Sequence, residues 1–214
     1  MKQKIVMMMA AVWVFGAAAT TEGTLIEIGI TAKVWQVDDR ANLLEGKIQV
    51  DDIITGVYRY DSETVDSNPS DTIGDYWYNS TPYGVYLNAN NLFFGTKNNE
   101  INFLMEMANN HLNSFDHYEF ISYKNTFQNQ TDVEIISWIL KDDDQLALNS
   151  DVLPISAPNI TGGWDTNYLV IQNSKYDIFK IEACVTNSTL IPEPSTIFLL
   201  SLGGILFIKR KTKL

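Results

Sequence analysis

The sequence has one cysteine, two histidines and six prolines in 214 residues, and only 15 lysines and arginines against 26 acids. Each scarcity removes a class of explanation. Cys184 is alone, so no intrachain disulfide forms and stability must come from packing or bound ions. It sits in an apolar-alternating segment with nothing basic beside it, and is therefore expected to be a small core residue rather than a nucleophile. His111 and His117 do not have the i, i+4 spacing of a helical zinc site and lack a cysteine or third histidine nearby, so they are expected at a surface loop. No glycine-rich phosphate loop and no Gly-x-Ser-x-Gly elbow occurs. Between its ends the chain shows no sustained helical period and no internal repeat, which argues against helical bundles, propellers and solenoids.

What is present is concentrated first at the two ends. Lys2 and Lys4 precede an apolar stretch over 5–15, and Ala17, Ala18 and Ala19 supply a small-x-small site. Residues 1–19 read as a signal peptide cut after Ala19, with Ala17 and Ala19 as its recognition pair. The apolar stretch is too short for a span, which needs about 20 residues.

At the other end Pro192, Glu193, Pro194 and Ser195 precede an apolar run over 197–208 and the basic tail Lys209, Arg210, Lys211. As a helix the small and apolar residues extend only ~21 Å, short of a ~30 Å hydrocarbon core. The basic tail favours the cytoplasmic side, which places the body on the far side of the membrane, where the leader also sends it. The prolines stop the helix from extending backward and leave the Pro-Glu-Pro segment extended and exposed.

The body between, residues 20–190, is strongly acidic. Without the two basic residues of the leader, the four of the tail, and Glu193, it holds 9 basic against 25 acidic residues, a net charge of −16. Lysines and arginines that would neutralise phosphates are scarce, so nucleic acid is excluded as a partner. Period-two alternation over 24–37 (Ile26, Ile28, Ile30, Ala32, Val34 on one face) predicts a long half-buried strand. Further strands are expected over 53–60, 76–78, 83–87, 91–95, 101–107, 117–123, 168–172 and 176–185. The stretch 133–140 is apolar on both faces, as a strand between two layers would be. Around ten short strands punctuated by turns predict a single all-β domain, a β-sandwich of jelly-roll-like form. It is flanked by the signal peptide and a C-terminal hydrophobic helix over the 191–214 segment.

The C-terminal residues Pro192, Glu193, Pro194, Ser195, with the short apolar segment and basic finish, resemble the PEP-CTERM sorting signal of Gram-negative, exopolysaccharide-producing bacteria. The resemblance implies export through the Sec translocon, transient residence in the inner membrane, recognition by an exosortase, and transfer to the cell surface or extracellular matrix. Phrases of the body around Ile54 to Ser62, Asp66 to Pro69, Gly74 to Tyr76 and Leu146 to Pro154 are similar to segments of β-rich PEP-CTERM cargo proteins. They support the sandwich and imply no chemistry.

Three kinds of chemistry have candidate residues. Glycoside hydrolysis needs two acids roughly 5 to 9.5 Å apart; Asp38 near Trp35, or the strand acids Glu119 and Glu134, are available, but no local signature marks them, and the body is expected not to be an enzyme. Calcium takes 6 to 8 oxygens, and the loop bearing Asp61, Glu63, Asp66, Asn68 and Asp71, or the turn Asp142, Asp143, Asp144, could supply several. Glycan binding uses aromatic ring faces, for which Trp77, Tyr78 and Trp164, with Tyr76, Tyr83 and Tyr86, are the candidates. The sequence thus points to an exported protein with a structural or exopolysaccharide-associated role. The alternatives are a secreted glycoside hydrolase-like enzyme and a Ca-dependent glycan-binding module.

Overall fold

The alternation that begins the body does make a strand. Leu25–Asp38 (β1) buries Ile26, Ile28, Ile30, Ala32 and Val34 and turns the residues between them outward. The computed structural model describes residues 24–192 apart from 113, 129–130 and 174–178. Eleven further strands follow β1: Ile53–Asp61 (β2), Ile73–Tyr78 (β3), Gly84–Ala89 (β4), Leu92–Thr96 (β5), Phe103–His111 (β6), Phe115–Ser122 (β7), Asn125–Phe127 (β8), Thr131–Val133 (β9), Ile135–Asp142 (β10), Thr166–Asn173 (β11) and Phe179–Leu190 (β12). The described part is all-β, and no helix within it is long and apolar enough to cross a membrane. The leader and the hydrophobic segment over 197–208 lie outside the described residues.

The strands form one antiparallel sheet in the order β3-β6-β7-β10-β11-β12-β1-β2-β4-β5-β8-β9. Although β2 and β7 are not neighbours in that order, Tyr58 of β2 packs on Phe120 of β7 with ring centroids 4.8 Å apart. It also meets Trp138 of β10 edge-on at 6.1 Å. The sheet therefore curls, so that its two portions face each other across a single core. At the far edge, Phe94 of β5 and Phe127 of β8 reach Phe179 of β12 (6.1 and 5.8 Å). Asn173 Nδ2 donates to the Asp132 carbonyl at 2.8 Å, which brings β9 back beside β11. Burying each of these rings stabilises the fold by roughly 2–3 kcal/mol.

The polar atoms of the central aromatic residues are matched. Trp138 Nε1 donates to Asn167 Oδ1 at 3.0 Å, and the hydroxyls of Tyr58 and Tyr118 bond each other at 2.5 Å. The long connection over 143–165 closes one end of the core. Tyr60 donates to the Pro154 carbonyl (2.6 Å) and Tyr76 to that of Asp151 (3.0 Å). The carboxylates of Asp116 and Asp142, both fully buried, hold it from below. Asp142 accepts the N–H groups of Asp144, Leu146 and Ala147, and Asp116 accepts those of Leu148 and Asn110.

The first and last described strands pair along one another. Ile28 of β1 lies opposite Leu190 of β12, and Ile191 N–H donates to the Glu27 carbonyl at 2.8 Å. The start of the body and the approach to Pro192 therefore leave the sheet at the same end.

Several sequence expectations change. Cys184 is exposed, because the alternation of β12 turns Ala183 and Val185 inward and Cys184 outward, opposite Lys33. The apolar stretch 133–140 is split: Val133 ends β9, Glu134 links, and β10 starts at Ile135. Of its outward residues, Ile135 and Ile139 are half-buried and Ser137 is buried.

Candidate functional site

On β3, β6 and β7 the side chains that alternate away from the core bring acids together. Asp75 lies opposite Glu106, and Glu106 opposite Glu119, so three carboxylates form one row across three adjacent strands. Like charges placed directly opposite destabilise a sheet. The row is also poorly solvated: Glu119 is only 7% exposed, and Oδ1 of Asp75 is buried without a hydrogen-bond partner. Burial pushes the Glu106 carboxyl above its ordinary value, His117 opposes that, and the charges of Asp75 and Glu119 add to it.

His117 stands beside this row, two residues before Glu119 on the same face of β7. The expectation of a surface-loop histidine is thus corrected for His117, which is a largely buried strand residue. His111 lies at the end of β6, its Nδ1 3.1 Å from Thr72 Oγ1. The His117 ring presents Nδ1 toward Glu106 Oε1 at 3.6 Å and Nε2 toward Glu119 Oε2 at 3.1 Å. The second approach has ion-pair distance without hydrogen-bond alignment, which leaves Nε2 a buried nitrogen lacking a partner. Lys141, opposite His117 on β10, is turned toward Asp143 and the Phe115 ring.

Aromatic rings border the acids. Trp77, two residues beyond Asp75 on β3, is 41% exposed and stacks on Tyr123 with a 6.0 Å centroid distance. Burial raises the Tyr123 hydroxyl pKa, and the charges of Glu119, Glu106 and Asp75 raise it further, which marks the ring as a neighbour of the row.

A second feature lies on β2, β4, β5 and β8, where Tyr86, Phe93, Asn88, Asn98, Lys97 and Thr126 help line a groove of about 470 Å³. Glycine shapes it. Gly95 is directly opposite Tyr86, and a Cβ there would come within 3.0 Å of the Tyr86 ring; at Gly56 a Cβ would meet the Tyr86 carbonyl oxygen at 2.2 Å. The ring lies over backbone that carries no side chain, its hydroxyl donating to Asn98 Oδ1 at 3.2 Å. Phe93 is 57% exposed nearby. The groove combines ring faces with amides and a hydroxyl, the groups that receive a sugar.

The other sequence candidates are dispersed. Asp61 Oδ1 accepts the Glu63 N–H, and Asp66 Oδ1 accepts the N–H groups of Asn68 and Asp75. Glu63 and Asp71 are exposed, and these four acids do not converge as a metal-ligating group. Asp142 organises a loop, as described above. Tyr78 is a core residue, buried with its hydroxyl on the Asp61 carbonyl (2.8 Å), and has no ring face free for a sugar. Trp164 packs partly against the core with Nε1 on the Asn159 carbonyl and lines a cavity of about 420 Å³ under the long connection. Asp38 pairs with Arg40 at 3.0 Å. Of the end motifs, Pro192 is described and exposed, while Ala17, Ala19, Glu193, Pro194, Ser195, Lys209, Arg210 and Lys211 lie outside the described residues.

Sequence reasoning singled out Glu119 and missed Asp75 and Glu106 as its companions. Each is an outward position of a strand, a visible signal, but their alignment depends on which strands pair. A comparison with protein-family models, with curated proteins and with solved structures finds no match to this chain.

Proposed function

We propose that this chain is an exported protein, sorted by an exosortase to the cell surface or extracellular matrix, whose β domain has an exopolysaccharide-associated role there. In this reading the curled sheet is a jelly-roll-like sandwich that presents its outer faces to the matrix. The observation that carries the glycan role is the groove over Gly56 and Gly95, where the Tyr86 ring and Phe93 lie among amide side chains. A pyranose has apolar C–H faces that stack on such rings and hydroxyls that bond to amides.

Delivery is supported by the sequence motif and by two features of the body. The chain is exposed at Leu190, Ile191 and Pro192, immediately before the sorting motif. The start of β1 lies beside the end of β12, so residues 24 and 192 stand at one end of the domain, which suits a body held at one membrane surface. The net negative charge of the body suits a soluble life outside that membrane and disfavours anionic lipid.

The test is affinity electrophoresis of the full-length chain, in detergent, through gels containing the producing cell's exopolysaccharide. Retardation that is lost in Tyr86→Ala and in Phe93→Ala, with the circular dichroism spectrum unchanged and no new reducing ends in the polysaccharide, is the expected result. Unretarded migration would overturn the glycan role and leave a structural one. Release of reducing ends would replace it with an enzyme.

A further inference from the structure

We propose that Glu106, His117 and Glu119 hold a divalent transition-metal ion, with Zn²⁺ the best fit, on the outer face of β6 and β7. The ligand atoms of these three side chains all lie within 4.8 Å of one another, and among the described residues they form a metal-ligating group. At bond lengths of about 2.0–2.1 Å, two ligands of a tetrahedral ion stand roughly 3.3 Å apart. The separation of His117 Nε2 from Glu119 Oε2, 3.1 Å, is close to that value.

The contrast with the other buried glutamate on this face is the second argument. Glu182, 5% exposed, is neutralised by the Lys180 ammonium and receives the Tyr168 hydroxyl. Glu119 is as deeply buried, yet among the described residues no lysine or arginine pairs with it, and its side chain is aimed at a histidine nitrogen that has no hydrogen bond. Buried carboxylates are ordinarily paired or bound to a metal. The neighbouring Asp75, with its own orphaned oxygen, adds negative charge to the row.

The donor set selects the ion. One imidazole nitrogen with carboxylate oxygens suits zinc or manganese, whereas calcium and magnesium take oxygen alone. Only one ring nitrogen can bond the ion. Nε2, buried without a hydrogen bond and 3.1 Å from Glu119 Oε2, is the nitrogen placed to do so. None of this depends on the sugar groove, which lies on other strands.

The full-length chain, solubilised in detergent and stripped with chelator, is titrated with Zn²⁺, Mn²⁺, Ca²⁺ and Mg²⁺ while its melting temperature is followed. Zn²⁺ at a hundredfold excess over its Kd is expected to raise Tm by about 5–10 °C, and Ca²⁺ and Mg²⁺ to leave it unchanged. Glu119→Gln and His117→Ala should weaken Zn²⁺ at least tenfold, and Cys184→Ser should leave it intact. Co²⁺ should give visible ligand-field absorption in the wild-type chain and none in Glu119→Gln. Glu106→Gln, nearly isosteric, keeps the test decisive if His117→Ala does not fold. A Tm indifferent to Zn²⁺ and Mn²⁺, or a Zn²⁺ shift that survives Glu106→Gln combined with Glu119→Gln, would overturn the proposal.

Discussion

Glu106 and Glu119 stand directly opposite each other across the β6–β7 ladder, with Asp75 next in the same row on β3. A folded sheet does not gain from this juxtaposition, since each charge raises the cost of its neighbour. Natural sites that carry such a cost commonly carry a function with it.

Removing the central charge should therefore stabilise the metal-free protein. The Glu106 carboxyl is held above its ordinary value by burial first, with Asp75 and Glu119 adding to the rise. A raised folded pKa contributes stability that is present below the unfolded pKa and is lost as pH rises through the folded value. Glu106→Gln should raise the metal-free Tm near pH 7, by about 0.5–1 kcal/mol in stability, and make no difference well below the carboxylate range. Calorimetry at the two pH values decides it, and a lower Tm for the variant near pH 7 would contradict the account.

Asp142 should be among the most sensitive surface-connection anchors. Burial opposes its charge, but the N–H groups of Asp144, Leu146 and Ala147 outweigh burial and hold the carboxyl below its ordinary value. Asp142→Ala leaves those donors without an acceptor and is expected to cost roughly 3 kcal/mol, with new proteolytic cuts over 143–165. A depressed folded pKa contributes stability above the unfolded pKa that is lost as pH falls through the folded value. The gap between wild type and Asp142→Asn should accordingly narrow on acidification, as urea titrations at neutral and acid pH would reveal. An unchanged midpoint for Asp142→Ala near pH 7 would sink this assignment.

The Tyr58 and Tyr118 hydroxyls, buried and bonded to each other at 2.5 Å, should behave as a unit. Phenylalanine at either position strands the other hydroxyl, costing about 1–2 kcal/mol, while replacing both leaves nothing stranded. The double variant should be more stable than the sum of the single losses by at least about 0.5 kcal/mol in a denaturant cycle. Strict additivity would mean that the two hydroxyls do not share their bond in solution.

Legibility followed the range of the interactions. The period of β1 was readable because five inward residues alternate without interruption, whereas Asn91, read as the start of a strand, belongs with Asn90 to the turn between β4 and β5, both with positive φ. Local signals failed where a side chain's role is set by distant backbone. Asp142 looked like part of an acidic turn, although its carboxylate collects amides from the following loop. Tyr78 looked like a surface ring, although strand alternation turns it inward. The short β8 and β9 were not recognised, since three-residue strands hold too few alternations to register. The acid row was least legible, because β3 pairs with β6 across a gap occupied by β4 and β5, and nothing local announces that pairing.

The central claim is delivery of an acidic β domain to the cell exterior, and intact mass spectrometry of the protein recovered from the extracellular fraction tests it most directly. The expected species begins at Thr20 and ends near Pro192 to Pro194, with the apolar segment and basic tail removed. An extracellular chain still carrying Lys209, Arg210, Lys211 and Leu214 would contradict it.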